Sequence, residues 1–254
     1  MRNFICLFLV VCLQWSCQIG NLTIHDTDLG DGRTRYQIID RPVAQQIFSN
    51  DDSLLMANDK AIIVELENPS FEDSPSGHSF IPIKWKICSN TGFPKESPPD
   101  IHGNDNRFFY VKHSAPEGKQ FLGLVARDNR TSEHIAQVLE YELVETDTYM
   151  FSLDLTYSKD LVSVSRSTNQ EANFDTPLVL KIWGGTDACD RDQLLYLSES
   201  INHTDWKTYF VKFTVEQSFD VLILEASFDE EYSLYPYNGN ILIDNVSPIY
   251  QVGK

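Results

Sequence analysis

From Ala61 onward the chain breaks into short apolar or alternating runs. They are Ala61–Leu66, Phe80–Ile87, Phe108–His113, Phe121–Ala126, Ile135–Leu143, Tyr149–Tyr157, Leu178–Trp183, Leu194–Leu197, Trp206–Val215, Val221–Ala226 and Ile241–Val246. Several have period two. In Tyr149-Met150-Phe151-Ser152-Leu153-Asp154-Leu155 the odd positions share one face and the even positions the other. Tyr209-Phe210-Val211-Lys212-Phe213-Thr214-Val215 repeats the pattern. Turn chemistry separates the runs: Pro75-Ser76-Gly77, Ser97-Pro98-Pro99-Asp100, Pro116-Glu117-Gly118 and Tyr237-Asn238-Gly239. No long 3.6-residue periodicity and no internal repeat is visible. Many short strands without helices predict an all-β domain, a β-sandwich jelly roll over 61–250. Its core would hold Phe71, Trp85, Leu122, Leu124, Phe151, Leu153, Trp206, Phe213 and Leu224. The run ending at Leu66 and the closing run from Ile241 would be first and last strands lying side by side.

The start of the chain reads differently. Met1-Arg2-Asn3 is basic, and Phe4–Leu13 is apolar but too short to span a bilayer. The run ends at Gln14-Trp15-Ser16-Cys17, a small residue before a cysteine. Residues 1–17 therefore read as a lipoprotein-type signal, with Cys17 the lipidated residue. Gln14 stands where such signals usually carry Leu, so ordinary secretion and a retained segment stay as alternatives. The expected location is the outer membrane or cell surface, or else the periplasm or medium. Residues 18–60 read as a tether. Asp26–Gly32 is turn-rich, Arg35–Ile39 a short strand, and Val43–Phe48 a helical turn after Arg41-Pro42.

Charge narrows the partners. With 37 acidic against 20 basic residues the formal net charge is −17. Nucleic acid needs a basic surface, so it is excluded as a partner. The charge suits solubility and cation binding without specifying either. After the signal, Cys88 and Cys189 remain beside Cys17. In an oxidising compartment they form a candidate disulfide; the alternative is two buried thiols.

Catalytic signatures are missing. There is no G-x-S-x-G elbow, phosphate-binding glycine loop or H-E-x-x-H. The six histidines make no metal-ligand spacing. Among carboxylates such as Glu133, Glu140, Glu142, Glu225 and Asp229 no Glu-x-Asp-x-x-Glu occurs. The expectation is a protein that is not an enzyme.

Several segments taken in order resemble the galactose-binding-like jelly rolls, especially carbohydrate-binding modules of families four and twenty-two. They are Asn68-Pro69-Ser70-Phe71-Glu72, Trp85, Ala115-Pro116-Glu117-Gly118, the run from Trp206 to Thr214, and Ile243-Asp244-Asn245-Val246. Cys88–Val125 also resembles the N-terminal domain of certain bacterial surface lipoproteins that continue into a peptidoglycan-binding domain. No counterpart of that second domain occurs in this sequence, so peptidoglycan anchoring does not carry over.

The resemblance implies a structural calcium ion. Its ligands would be the side chains of Glu72, Glu117 and Asp244 and the backbone carbonyls of Ser70 and Gln120. The alternative is that Glu72 and Asp244 accept hydrogen bonds from loop amides while Glu117 is solvated. The resemblance also implies non-catalytic binding, to carbohydrate before any other ligand. Sugar recognition needs an aromatic face flanked by polar groups. The candidates are Trp183, Tyr157, Tyr196 and Tyr209, with Arg127 and Asp128 beside them. The tyrosine-rich segment Tyr232–Tyr237 is a second candidate. The rival reading is an assembly lipoprotein that binds an envelope protein and has no sugar site.

Overall fold

The structure, a computed structural model, describes residues 62–89, 98–103 and 108–253, and the strand backbone of 18–19, 22–28 and 34–40. Cys17 and the expected turn at Val43–Phe48 lie outside the described residues. The chain divides into two compact units, Met1–Ile63 with Tyr250–Gly253, and Val64–Ile249.

In the first unit, β1 (Gln18–Ile19), β2 (Leu22–Asp28) and β3 (Thr34–Asp40) form an antiparallel sheet. The polar stretch expected to turn from Asp26 is thus strand as far as Asp28, because β3 pairs with it through Asp28↔Thr34. Also in this unit, the Gln251 amide donates to the Ile62 carbonyl at 2.9 Å.

The remaining strands follow in chain order. They are β4 (Ile63–Val64), β5 (Lys86–Ile87), β6 (Asp100–Gly103), β7 (Gln120–Ala126), β8 (His134–Leu143), β9 (Thr148–Thr156), β10 (Val162–Val164) and β11 (Glu171–Asn173). Then come β12 (Thr176–Pro177), β13 (Val179–Gly185), β14 (Gln193–Leu197), β15 (Lys207–Thr214), β16 (Phe219–Ser227), β17 (Gly239–Asp244) and β18 (Ile249–Gly253). In the second unit two sheets face each other as a β-sandwich jelly roll. One carries β15, β9, β17, β7 and β6 side by side, with β12 parallel to the start of β17. The other is the 5-stranded sheet β14-β13-β16-β8-β5.

Period two decides which side chains meet between the sheets. Leu122, Leu124, Phe151, Leu153, Ile241 and Ile243 point inward from the first sheet. Ile135, Leu180, Ile182, Leu222 and Leu224 meet them from the second. Burying each such side chain contributes about 1.5–3 kcal/mol, which holds the layers together. Phe71 and Trp85 close one end, with ring centroids 5.6 Å apart. The Trp85 indole donates to the Asn68 carbonyl at 3.1 Å, which ties the Asn-x-x-Phe segment to the tryptophan that follows it.

Four expectations need correcting. Trp206 is half-buried and packs on the outer face of the first sheet, against Phe121 at 5.5 Å. Phe108–His113 is not a strand, because Phe109 and Tyr110 take left-handed φ values of 51° and 65° and turn the chain. Of Phe80–Ile87 only Lys86–Ile87 is strand, since Trp85 closes a turn onto the Pro82 carbonyl. The closing strand β17 does not lie beside the first; it is paired with β7 and β9. Residues 68–73 meet its end through one hydrogen bond, from the Val246 amide to the Pro69 carbonyl at 3.2 Å.

Candidate functional site

The outer face of the first sheet is not left to solvent. Val111, Phe121, Val125, Leu161, Phe174 and Leu242 form a second apolar cluster there, beneath the turn at 108–111 and the β10–β11 hairpin. Strands covered on both sides should be apolar at nearly every position, and β7 and β17 are buried at nearly every residue.

Where the cover stops, a pocket of about 690 Å³ opens, counting the part exposed to solvent. Its walls are Phe109, Phe174, Leu161 and Val125, and its polar groups include Asp100, Arg127, Arg166 and His78. Alternation along β7 puts Phe121, Val125 and then Arg127 on this face, and the register Asp100↔Gly123 brings Asp100 alongside. Arg127 is 3% exposed and its guanidinium donates to the carboxylate of Glu133, which is 0% exposed. Glu133 is fixed in turn by the Val125 amide, which donates to Oε2 at 3.1 Å, and by its own amide on the Val125 carbonyl at 2.9 Å. Burial pushes the Glu133 carboxyl upward and Arg127 pulls against it. Burial likewise raises Asp100 to about 7, although the Ser79 amide donates to it at 3.0 Å and Arg127 lies near.

The residues expected to bind ligand do not share one surface. Arg127 lines the pocket, and Asp128 stands at its edge as an anchor for the hairpin. Its carboxylate accepts from the Ser165 hydroxyl at 2.6 Å, the Ser167 amide at 3.2 Å and the Asn238 side chain at 3.2 Å. Burial works against ionisation of Asp128, but these donors hold its carboxyl below the usual range. Tyr157, Tyr196 and Tyr209 pack against the main core, and Tyr209 bonds His203 at 2.8 Å. Trp183 lies on the outer side of the other sheet, with Ala136, Val221 and Ile223. Its indole donates to Glu225 at 2.7 Å, and Arg191 stands 5.9 Å above the ring. Beside that face Cys88 and Cys189 are joined by a disulfide.

Asp100, His78, Phe109, Phe174 and Arg166 escaped the sequence reading. The usable signal was the uninterrupted apolar run Phe121–Ala126, which calls for a second covering layer and so for a boundary where that layer ends.

The expected cation ligands gather near one loop. The Glu72 carboxylate accepts from the Lys119 and Gln120 amides, both at 2.6 Å. Gly118 takes φ +59°, and a Cβ there would crowd Glu72 Oε1, so another residue would be strained and would displace that carboxylate. Asp244, 0% exposed, accepts from the Glu117 amide at 3.3 Å and from Asn245 at 2.7 Å. Burial raises its carboxyl to about 8, and the Glu117 and Asp154 carboxylates raise it further against those hydrogen bonds. The Gln120 side chain is spent on Ser74, to which it both donates and accepts. Among the described residues no three His, Cys, Asp or Glu side chains converge as a metal-holding group. The donors are nonetheless all oxygen, and a buried carboxyl pressed by two others is the environment a hard cation relieves. Asp244 and Glu117 fit such an ion; the Glu72 oxygen that holds the loop amides is engaged as an acceptor.

No protein-family model and no curated protein matches the chain. Solved structures similar to it include a cyclase from Fischerella sp. TAU, at 15% identity and TM-score 0.47, covering 76% of this chain and 99% of that one. The K1 cleaved adhesin domain of Lys-gingipain from Porphyromonas gingivalis W83 matches at 10% identity and TM-score 0.43, covering 77% and 100%. The CBM22-1 xylan-binding domain from Paenibacillus barcinonensis matches at 13% identity and TM-score 0.39, covering 73% and 92%. At these identities no residue role transfers from them.

Proposed function

We propose that this chain is a non-catalytic binding protein whose ligand is a carbohydrate held in the pocket above β6 and β7. The observation that carries the reading is the pocket's composition. The half-buried ring of Phe109 offers an apolar wall to a sugar's C–H face, and Asp100, Arg127, Arg166 and His78 offer groups for hydroxyls. Hydrolysis of a glycosidic bond uses two carboxylates flanking it, whereas among the described residues the pocket lining includes one, Asp100. A glycan array with the full chain tests the reading. Binding that is lost in Phe109→Ala and kept in Trp183→Ala supports it; binding unaffected by Phe109→Ala removes the site.

A second reading has its own observation. Leu234 and Tyr235 are 88% and 80% exposed, an apolar tip that suits a protein partner of the cell envelope. Co-purification of an envelope protein that is lost in Leu234→Ser, with no glycan bound, would favour it.

Two further proposals concern support and location. A calcium ion at Asp244 and Glu117, near Glu72 and the carbonyls of Ser70 and Gln120, would stabilise the native state by mass action. Melting in calcium should exceed melting in chelator, and Asp244→Ala should erase the difference. Export with lipid on Cys17 is the second. Two or more acyl chains hold firmly where one does not. Mass spectrometry of the mature N-terminus decides it.

A further inference from the structure

The loop between β16 and β17 displays apolar side chains on a fixed frame. It reads Phe228-Asp229-Glu230-Glu231-Tyr232-Ser233-Leu234-Tyr235-Pro236-Tyr237-Asn238, and Tyr232, Leu234 and Tyr235 are all exposed. A single exposed apolar residue needs no explanation, but three on one ordered loop do. Hydrogen bonds set the shape. The Asp229 carboxylate accepts from the Glu231 amide at 2.9 Å and the Tyr232 amide at 3.3 Å. The Asp229 carbonyl accepts from the Tyr232 and Ser233 amides, both at 3.1 Å. The Ser233 hydroxyl donates to the Tyr235 carbonyl and accepts from the Tyr235 amide, both at 3.1 Å. The Tyr237 hydroxyl accepts from the Asp229 amide at 2.8 Å and donates to the Pro177 carbonyl at 3.0 Å, which ties the loop to the sandwich. The Tyr237 ring meets Phe228 and Tyr232 edge-on, with centroids 5.2 and 5.6 Å away. A loop ordered before it docks loses little entropy on docking. Charge along the loop has one sign. Glu230 and Glu231 are exposed, and residues 213–253 contain no Lys, Arg or His. Two such tips face to face would oppose like carboxylates, and anionic lipid headgroups would meet the same repulsion. Segments that lie on membranes carry Lys or Arg beside their apolar face, and this one carries carboxylates.

We infer that this tip docks into an apolar socket on another protein, one rimmed by Lys or Arg. This rests on the second reading above, a protein partner, and names the chemistry that partner must present; it does not depend on the sugar pocket. Leu234 and Tyr235 stand out from the surface, so the surface that receives them is concave. They fill the socket while Glu230 and Glu231 meet its rim. A rigid aromatic anchor is the kind of residue that carries interface energy, and the charge at the rim selects the partner and speeds the encounter.

The test is cross-linking at the tip followed by titration. The full chain carrying Tyr235→p-benzoylphenylalanine is made in the cells that naturally make it and is irradiated. The protein joined at position 235 is identified by mass spectrometry, purified, and titrated with the unsubstituted full chain. Expected is direct binding that Leu234→Ser weakens at least tenfold. The Leu234→Ser melting curve should match the parent, because that side chain is exposed. Affinity should also fall as sodium chloride rises, and fall at least threefold in the Glu230→Gln and Glu231→Gln double variant. Binding lost in Leu234→Ser but indifferent to salt and to the double variant would overturn the basic rim and leave the protein-partner reading standing. Cross-linking to lipid, to a second copy of this chain or to nothing would overturn both. So would a purified partner whose binding ignores Leu234→Ser.

Discussion

The Arg127–Glu133 pair shows how one residue can serve both scaffold and site. Both side chains are almost wholly buried, and the carboxylate also holds the backbone of Val125. Removing one partner of a buried pair leaves the other charge in a poor medium, a loss of about 3–5 kcal/mol. Arg127→Ala should therefore lower the urea midpoint by that equivalent as well as weaken ligand binding. A loss of affinity with no loss of stability would mean that the pair is not structural. Asp244 gives a prediction in pH. Its folded carboxyl titrates near 8 against 3.8 for the ordinary group, so the native state binds the proton more tightly. Its contribution is complete below the unfolded value and is lost as pH rises through the folded one. In chelator, stability should fall between pH 5 and pH 8 more steeply in the parent than in Asp244→Asn. Parallel melting profiles would refute the assignment.

At the scale of elements, the β10–β11 hairpin decides whether there is a pocket at all. It supplies Ser163, Val164 and Arg166 to the lining, and Phe174 follows it. Among the described residues its three-residue strands pair with each other alone, so its position depends on Asp128, on Asn240 and on the burial of Leu161 and Phe174 at its base. The Asn240 side chain donates to the carbonyls of Ser158 at 2.7 Å and Phe174 at 2.6 Å. Net hydrogen-bond contributions of about 0.5–1.5 kcal/mol each would order the hairpin without governing the sandwich. Asp128→Ala should thus speed hydrogen exchange across residues 162–173 and weaken ligand binding, while global unfolding shifts little. Unchanged exchange there would assign the anchor elsewhere.

For the whole molecule, the covalent constraint among the described residues is the Cys88–Cys189 disulfide, whose cysteines are 101 residues apart in sequence. Cross-linking so much chain restricts the unfolded state, by about 2–5 kcal/mol in the loop-entropy account. Reduction, or the Cys88→Ser and Cys189→Ser double variant, should lower the urea midpoint accordingly. The pocket lies on the first sheet and the bond beside the second, so ligand affinity in the folded protein should be unchanged.

Period two and turn residues were enough to place β7, β8, β9, β13, β15, β16 and β17 within two residues, because each strand's apolar face is a local property of its own sequence. The inward-facing core residues were legible for the same reason. So was the meeting of residues 68–73 with the end of β17, through a motif rather than a pattern. What covers a strand's other face is not local. Trp206 reads as core from its neighbours, but it packs beneath a separate layer built from segments distant in sequence. The aromatic residues singled out as ligand contacts are scattered for a related reason. An aromatic side chain fills a core as well as it stacks on a sugar, and only packing separates the two uses. Arg127 and Arg166 line one pocket because a turn after β7 and the tip of a small hairpin are folded onto one sheet face. That convergence is decided by tertiary structure, since 38 intervening residues carry no sign of it.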